Sequence, residues 1–167
     1  MTDRLLPAIS LALGAAGLAL AATAMPAHAQ YRQKISHQPS KCDAGGGPAV
    51  MVTISDVKSA QGTIRVQSYR GTKQDWLEKG RWINRIELPA RSGTMRVCMP
   101  VPAAGTYGIA VRHDVNGNGK TDLRTDGGAM SNNPSLNIFN LGKPSYRKTA
   151  FSAGSGVTPI SIRMRYF

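Results

Sequence analysis

From Ala49 onward the chain alternates apolar and polar positions. Val50, Val52 and Ile54 interleave with Met51, Thr53 and Ser55, and Ile64 and Val66 with Thr63, Arg65 and Gln67. Met95, Val97, Met99 and Val101 interleave with Arg96 and Cys98; Tyr107, Ile109 and Val111 with Gly108, Ala110 and Arg112; and Ile160, Ile162, Met164 and Tyr166 with Ser161, Arg163 and Arg165. A period of two puts successive side chains on opposite sides of a half-buried strand. Two weaker runs, Arg81–Leu88 and Arg147–Ala153, bring the predicted strands to seven, separated by Gly, Pro and Asn signals. Only Lys73–Gly80, around Trp76 and Leu77, reads as a helical turn. Seven short strands without a sustained helical period predict an all-β fold, an antiparallel two-sheet β-sandwich over residues 49–167.

Upstream the pattern differs. Leu11–Ala22 is an unbroken run of Leu, Ala and Gly, and Ala27-His28-Ala29 supplies the small-x-small site of a signal peptidase, so residues 1–29 read as a signal peptide cleaved before Gln30. Leu5–Ala24 is also just long enough for an uncleaved anchor, but its flanks fit a signal better. Residues 30–48 show no periodicity, end in Gly45-Gly46-Gly47-Pro48, and read as an irregular segment before the domain. No later segment is apolar enough to span a membrane as a helix. The expected destination is the periplasm of a Gram-negative-type envelope, or the exterior. In that oxidising setting the two cysteines, Cys42 and Cys98, are expected to pair. The strand phase turns Cys98 outward, so the bridge would strap the N-terminal segment over the outside of a sheet.

Charge narrows the partners. The net charge is +12, and Asp3 and Arg4 cancel within the signal, so the excess belongs to the exported domain. The same strand phase puts Arg65, Arg96, Arg112, Arg163 and Arg165 on outward faces. Such a surface favours anionic envelope polymer or lipid head groups. No nucleic-acid fold motif accompanies it. An outer-membrane barrel would place Arg163 and Arg165 against lipid, at about 2–4 kcal/mol each near mid-bilayer.

One stretch carries chemistry. In Asp114-Val115-Asn116-Gly117-Asn118-Gly119-Lys120-Thr121-Asp122, oxygen-bearing side chains fall at positions one, three, five and nine, Gly119 at the sharp turn, and the Lys120 carbonyl at seven. That is the spacing of a calcium loop, in which alternate residues of a curled segment point at one hard cation. Thr125 stands where a bidentate Glu is usual, with Asp126 one place later. The expected ligand set is Asp114, Asn116, Asn118, Lys120, Asp122 and Asp126, with calcium a structural clamp. A bare Asn-Gly turn held by its own hydrogen bonds is the alternative.

The run Gly105–Val111 followed by His113–Asp122, then Ser131-Asn132-Asn133, Lys143-Pro144-Ser145-Tyr146 and Ala150-Phe151, resembles an exported bacterial family, domain of unknown function 2141. The resemblance covers roughly residues 49–166 and implies a small secreted β-sandwich of prealbumin-like or immunoglobulin-like kind. Val115 stands where the family usually carries an acid.

No nucleophile-base pair, carboxylate pair or histidine metal site stands out, so an enzyme is not expected. His37 lies in the irregular segment, and His113 follows the apolar phase of its strand as a core cap. Two readings remain. One is a non-catalytic binder of an anionic envelope component through its arginines. The other is a calcium-clamped assembly module that meets a protein partner along exposed strand edges.

Overall fold

The computed structural model describes residues 31–136 and 142–166; the expected signal peptide lies outside the described residues. The alternating runs form β2 (Ala49–Val57), β3 (Thr63–Arg70), β4 (Asn84–Pro89), β5 (Gly93–Pro100), β6 (Gly105–Asp114) and β9 (Val157–Arg163). Four shorter strands join them: β1 (Gln33–Lys34), β7 (Gly127–Met130), β8 (Phe151–Ala153) and β10 (Arg165–Tyr166). Residues rich in Val, Ile and Thr suit a pleated, half-buried surface. Where the chain must reverse, Gly62 and Gly93 supply left-handed backbone, with φ of 72° and 87°.

Two sheets stack. The larger runs β1-β4-β3-β6-β7-β10, with β8 also paired to β6; the smaller runs β5-β2-β9. Val50, Val52 and Ile54 of β2, Val97 and Met99 of β5 and Ile162 of β9 meet Ile64 and Val66 of β3, Ile86 of β4, and Ile109 and Val111 of β6. These are the inward members of the sequence alternation, and burying each stabilises the fold by about 1.5–3 kcal/mol. The all-β two-sheet architecture is therefore as the pattern predicts.

The details depart from it in several places. The sheets are not purely antiparallel: β1 pairs β4 and β2 pairs β9 in parallel. Only strands joined by a tight hairpin must run antiparallel, and β2 and β9 are separated by most of the chain. The final alternating run is one strand in sequence but two in space. It breaks at Met164, whose side chain stays in the core, and Arg165 and Tyr166 cross to the larger sheet to pair with β7. The weak predicted strand Arg147–Ala153 is a strand only at its end, β8; its start falls in a short helical turn, α1 (Tyr146–Thr149), held by Ala150 N–H to Tyr146 C=O at 2.8 Å. Residues 30–48 are not wholly irregular: β1 borders the large sheet, and Pro39–Cys42 forms a 3-10 turn.

That turn carries Cys42, which is bonded to Cys98 with S–S 2.06 Å. Cys98 lies on the outer side of β5, yet it is fully buried because the strap covers it. A second apolar cluster forms on the outer side of the large sheet, where Trp76 packs with Tyr69, Trp82, Met130 and Leu136. Gly108 makes room for it: a Cβ there would lie 2.5 Å from the Trp76 ring. The helical turn expected around Trp76 is present as a single i to i+4 bond, Trp76 N–H to Thr72 C=O at 3.0 Å.

Candidate functional site

The loop between β6 and β7 starts at Asp114, only 4% exposed, and ends at Asp126, also 4% exposed. Asp126 closes it from beneath: Oδ1 accepts the Val115 N–H at 3.1 Å and Oδ2 the Asp122 N–H at 3.0 Å. Asn116 Oδ1 accepts from Asn118 N–H and Asn118 Oδ1 from Lys120 N–H, the local side-chain turns expected of asparagine. Their amide nitrogens both donate to Asp122 Oδ2, at 2.8 and 2.7 Å. Those two bonds hold the Asp122 carboxyl below its usual pKa. Asp114 Oδ2 accepts the Gly119 N–H at 2.9 Å.

A positive charge already reaches into the loop. Arg112, two residues before Asp114, donates from Nη2 to Asp114 Oδ2 at 3.0 Å and to the Gly119 carbonyl at 3.1 Å, and from Nη1 to Thr121 Oγ1 at 3.0 Å. Asp114, Asp122 and Asp126 do not gather into a single cluster of three carboxylates. Asp114 Oδ1, however, is buried and has no hydrogen-bond partner. Most of the loop oxygens accept one hydrogen bond and keep a second lone pair. The donor set of carboxylate, amide and carbonyl oxygen is that of a hard cation.

The five outward arginines do not share one face. Arg96 and Arg163 stand on the small sheet, on β5 and β9. Arg65 and Arg112 are directly opposite each other on β3 and β6, Arg112 is opposite Gly128, and Gly128 is opposite Arg165. Directly opposed residues project from the same side of a sheet, so Arg65, Arg112 and Arg165 form one cross-strand row on the outer side of the large sheet. Strand phase tells inside from outside but cannot tell one sheet's exterior from the other's.

The row has a neighbour that the weak pattern of its strand concealed. Arg85 of β4 lies opposite Gln67, beside Arg65, with its guanidinium 4.2 Å from the Trp82 ring. Burial, then the positive charge of Arg65, lowers its pKa, with Arg112 adding to the effect. Two carboxylates answer these four guanidiniums: Glu87, 2.6 Å from Arg65 Nε, and Asp114. Beside the row, Gln67, Arg112, Leu123 and Met130 border a groove of about 270 Å3.

Among the described residues, neither His37 nor His113 hydrogen-bonds to the loop. His113 is fully buried, as a core cap should be. Its Nε2 lies 2.7 Å from the Gln61 carbonyl and its Nδ1 2.7 Å from the Tyr166 hydroxyl, so it does not orient Asp114. His37 sits in the strap, where its Nε2 accepts the Cys98 N–H at 3.1 Å. A further polar knot escaped the sequence reading. Asp75 accepts from Tyr31 Oη, Thr72 Oγ1 and Arg81 Nε. Burial would raise its pKa, but those bonds and the Arg81 charge outweigh it and leave it lowered.

No curated protein and no solved structure matches the chain. A family model described as an uncharacterized protein conserved in bacteria, DUF2141, matches residues 52–161, which span β2 to β9, the Asp114–Asp126 loop and the arginine row up to Arg112, and the chain belongs to that family.

Proposed function

We propose that the protein is an exported, non-catalytic binding module that holds an anionic component of the cell envelope against the outer side of its seven-stranded sheet. The observation that carries this reading is the row Arg65, Arg112 and Arg165, with Arg85 beside it. Four guanidiniums face two carboxylates there, and Arg85 already experiences its neighbours' charge. An anionic polymer or a layer of phosphorylated head groups would relieve that repulsion. Because guanidiniums take phosphate and carboxylate bidentately, a flat array of them suits a repeating anionic surface.

The loop beside the row is its brace. In this reading calcium, held by Asp114, Asn116, Asn118, the Lys120 carbonyl and Asp122, with Asp126 beneath, clamps the loop that fixes Arg112. The unpartnered Asp114 Oδ1 supports it. The pairing of Cys42 with Cys98 supports export, since such bonds persist in oxidising compartments. The engagement of both ring nitrogens of the buried His113 supports the non-catalytic reading.

Binding to lipopolysaccharide or to an acidic polysaccharide should weaken steeply from low to high salt. The triple variant Arg65→Gln, Arg85→Gln, Arg165→Gln should lose most of it while keeping its fold. Affinity that is the same at both salt concentrations would sink the proposal.

A further inference from the structure

A second basic site lies away from the arginine row, between the N-terminal strap and the β4–β5 connection, which crosses from the larger sheet to the smaller. His37, Arg91, Thr94 and Arg96 line a pocket there of about 260 Å3, with Leu88 and Met95 among its apolar walls. Arg91 belongs to the connection between β4 and β5, and Arg96 projects from β5 two residues before Cys98. The ion pairs of the described residues use Arg65, Arg81, Arg112 and Arg163, and neither Arg91 nor Arg96 has a carboxylate partner. His37 adds a third donor. Its Nε2 accepts the Cys98 N–H, so the proton of the neutral ring sits on Nδ1, which has no acceptor among the described residues. Burial lowers the pKa of this ring and so favours the neutral form. All four polar side chains can therefore donate, and no carboxylate lines the pocket.

We infer that this pocket binds a phosphate monoester carried on a body about the size of one sugar. With each guanidinium donating twice, the two guanidiniums, an imidazole N–H and a hydroxyl offer about six bonds, more than the roughly four lone-pair sites of a carboxylate. A phosphate monoester brings three terminal oxygens and a charge of about −1.5 to −2. The volume falls just below the range typical of larger organic ligands, roughly 300–1,000 Å3, which limits the body to a monosaccharide or a head group. Leu88 and Met95 offer its carbon skeleton an apolar wall. The disulfide and the His37 bond fix the strap to β5, so the donors are positioned before the ligand arrives.

The test uses the disulfide-bonded protein. Calorimetric titration with glucose 1-phosphate, with glucose as control, is paired with sedimentation on phosphatidylcholine vesicles with and without phosphatidic acid. The first probe is a free sugar phosphate; the second presents the same phosphate monoester on a lipid. We expect saturable binding of one probe, weakened about tenfold or more by Arg91→Gln or by Arg96→Gln, as fits the loss of a charge-assisted bond. Lys148→Gln, an exposed lysine of α1 outside both basic sites, should leave it unchanged. Whichever probe binds in this way names the source of the phosphate. Binding of neither probe overturns the inference, and so does binding that Arg65→Gln abolishes while the Arg91 and Arg96 variants retain it. Either result leaves the arginine row to be judged by its own variants.

Discussion

The Tyr166 hydroxyl stands 2.7 Å from His113 Nδ1 and joins the end of the chain to the centre of the large sheet. The same oxygen accepts the Lys58 N–H at 2.9 Å, and His113 Nε2–H donates to the Gln61 carbonyl. A phenol, a buried imidazole and the β2–β3 turn are thus linked across more than a hundred residues. Tyr166→Phe strands a buried ring nitrogen and an amide, and should cost about 1–3 kcal/mol. Urea denaturation measures it; a change well under 1 kcal/mol would show that water replaces the phenol without loss.

His37 makes stability depend on pH. Burial lowers its folded pKa below the usual 6.5. The folded state thus prefers the neutral ring, and its Nε2 must stay unprotonated to accept the Cys98 N–H. The associated stability is present above the unfolded pKa and is lost as pH falls through it toward the folded value. His37→Ala should cost about 1 kcal/mol at pH 7.5, and its stability should fall less than that of the wild type between pH 7 and 5. Equal slopes for the two proteins over that interval would contradict the assignment.

Gly108 is required by the ring laid over it. A Cβ at this position would sit 2.5 Å from Trp76 Cζ3 and 2.7 Å from Cε3, and the indole is further tied by Nε1–H to the Pro144 carbonyl at 2.8 Å. Gly108→Ala must displace Trp76 and should cost about 1–3 kcal/mol, as overpacking does. The tryptophan fluorescence should shift to longer wavelength as the ring gains exposure. An unshifted spectrum with unchanged stability would mean the sheet yields instead.

Calcium is tested by thermal melts in chelator and across a calcium series, with magnesium as control. At ten times the dissociation constant, linkage gives about 1.4 kcal/mol, or roughly 4–7 °C for a domain of this size. Asp114→Ala should abolish the rise. Because Arg112 shares Asp114 and the Gly119 carbonyl, Arg112→Gln should strengthen the response. A flat melt up to several millimolar calcium would leave the loop as a turn braced by Arg112 alone.

The outcome for individual residues shows where sequence is informative. Val50, Val52, Ile64, Val66, Ile109 and Val111 reveal their burial because successive side chains of a regular strand point to opposite sides. Arg85 and the Asp75 knot escaped because their segments carry no clean period; what places them is contact with Trp82, Tyr31 and Arg81. The pocket around His37 was equally invisible, since it joins an unpatterned strap to an inter-sheet connection far along the chain.

Taken by itself, the sequence determined the all-β class, the inward and outward residues of the main strands, the pairing of the two cysteines and the boundaries of the polar loop. The cysteine pairing follows from an even count in a chain expected to be exported, and the others from local periodicity or spacing along the chain. The tertiary structure alone decided which strands are neighbours, which pairs run parallel, and that Arg96 and Arg163 part from Arg65, Arg112 and Arg165. It also decided that Arg112 places its guanidinium in the loop. These depend on which distant segments meet, and a period of two assigns a residue to a side of its own strand without saying which sheet that strand will join.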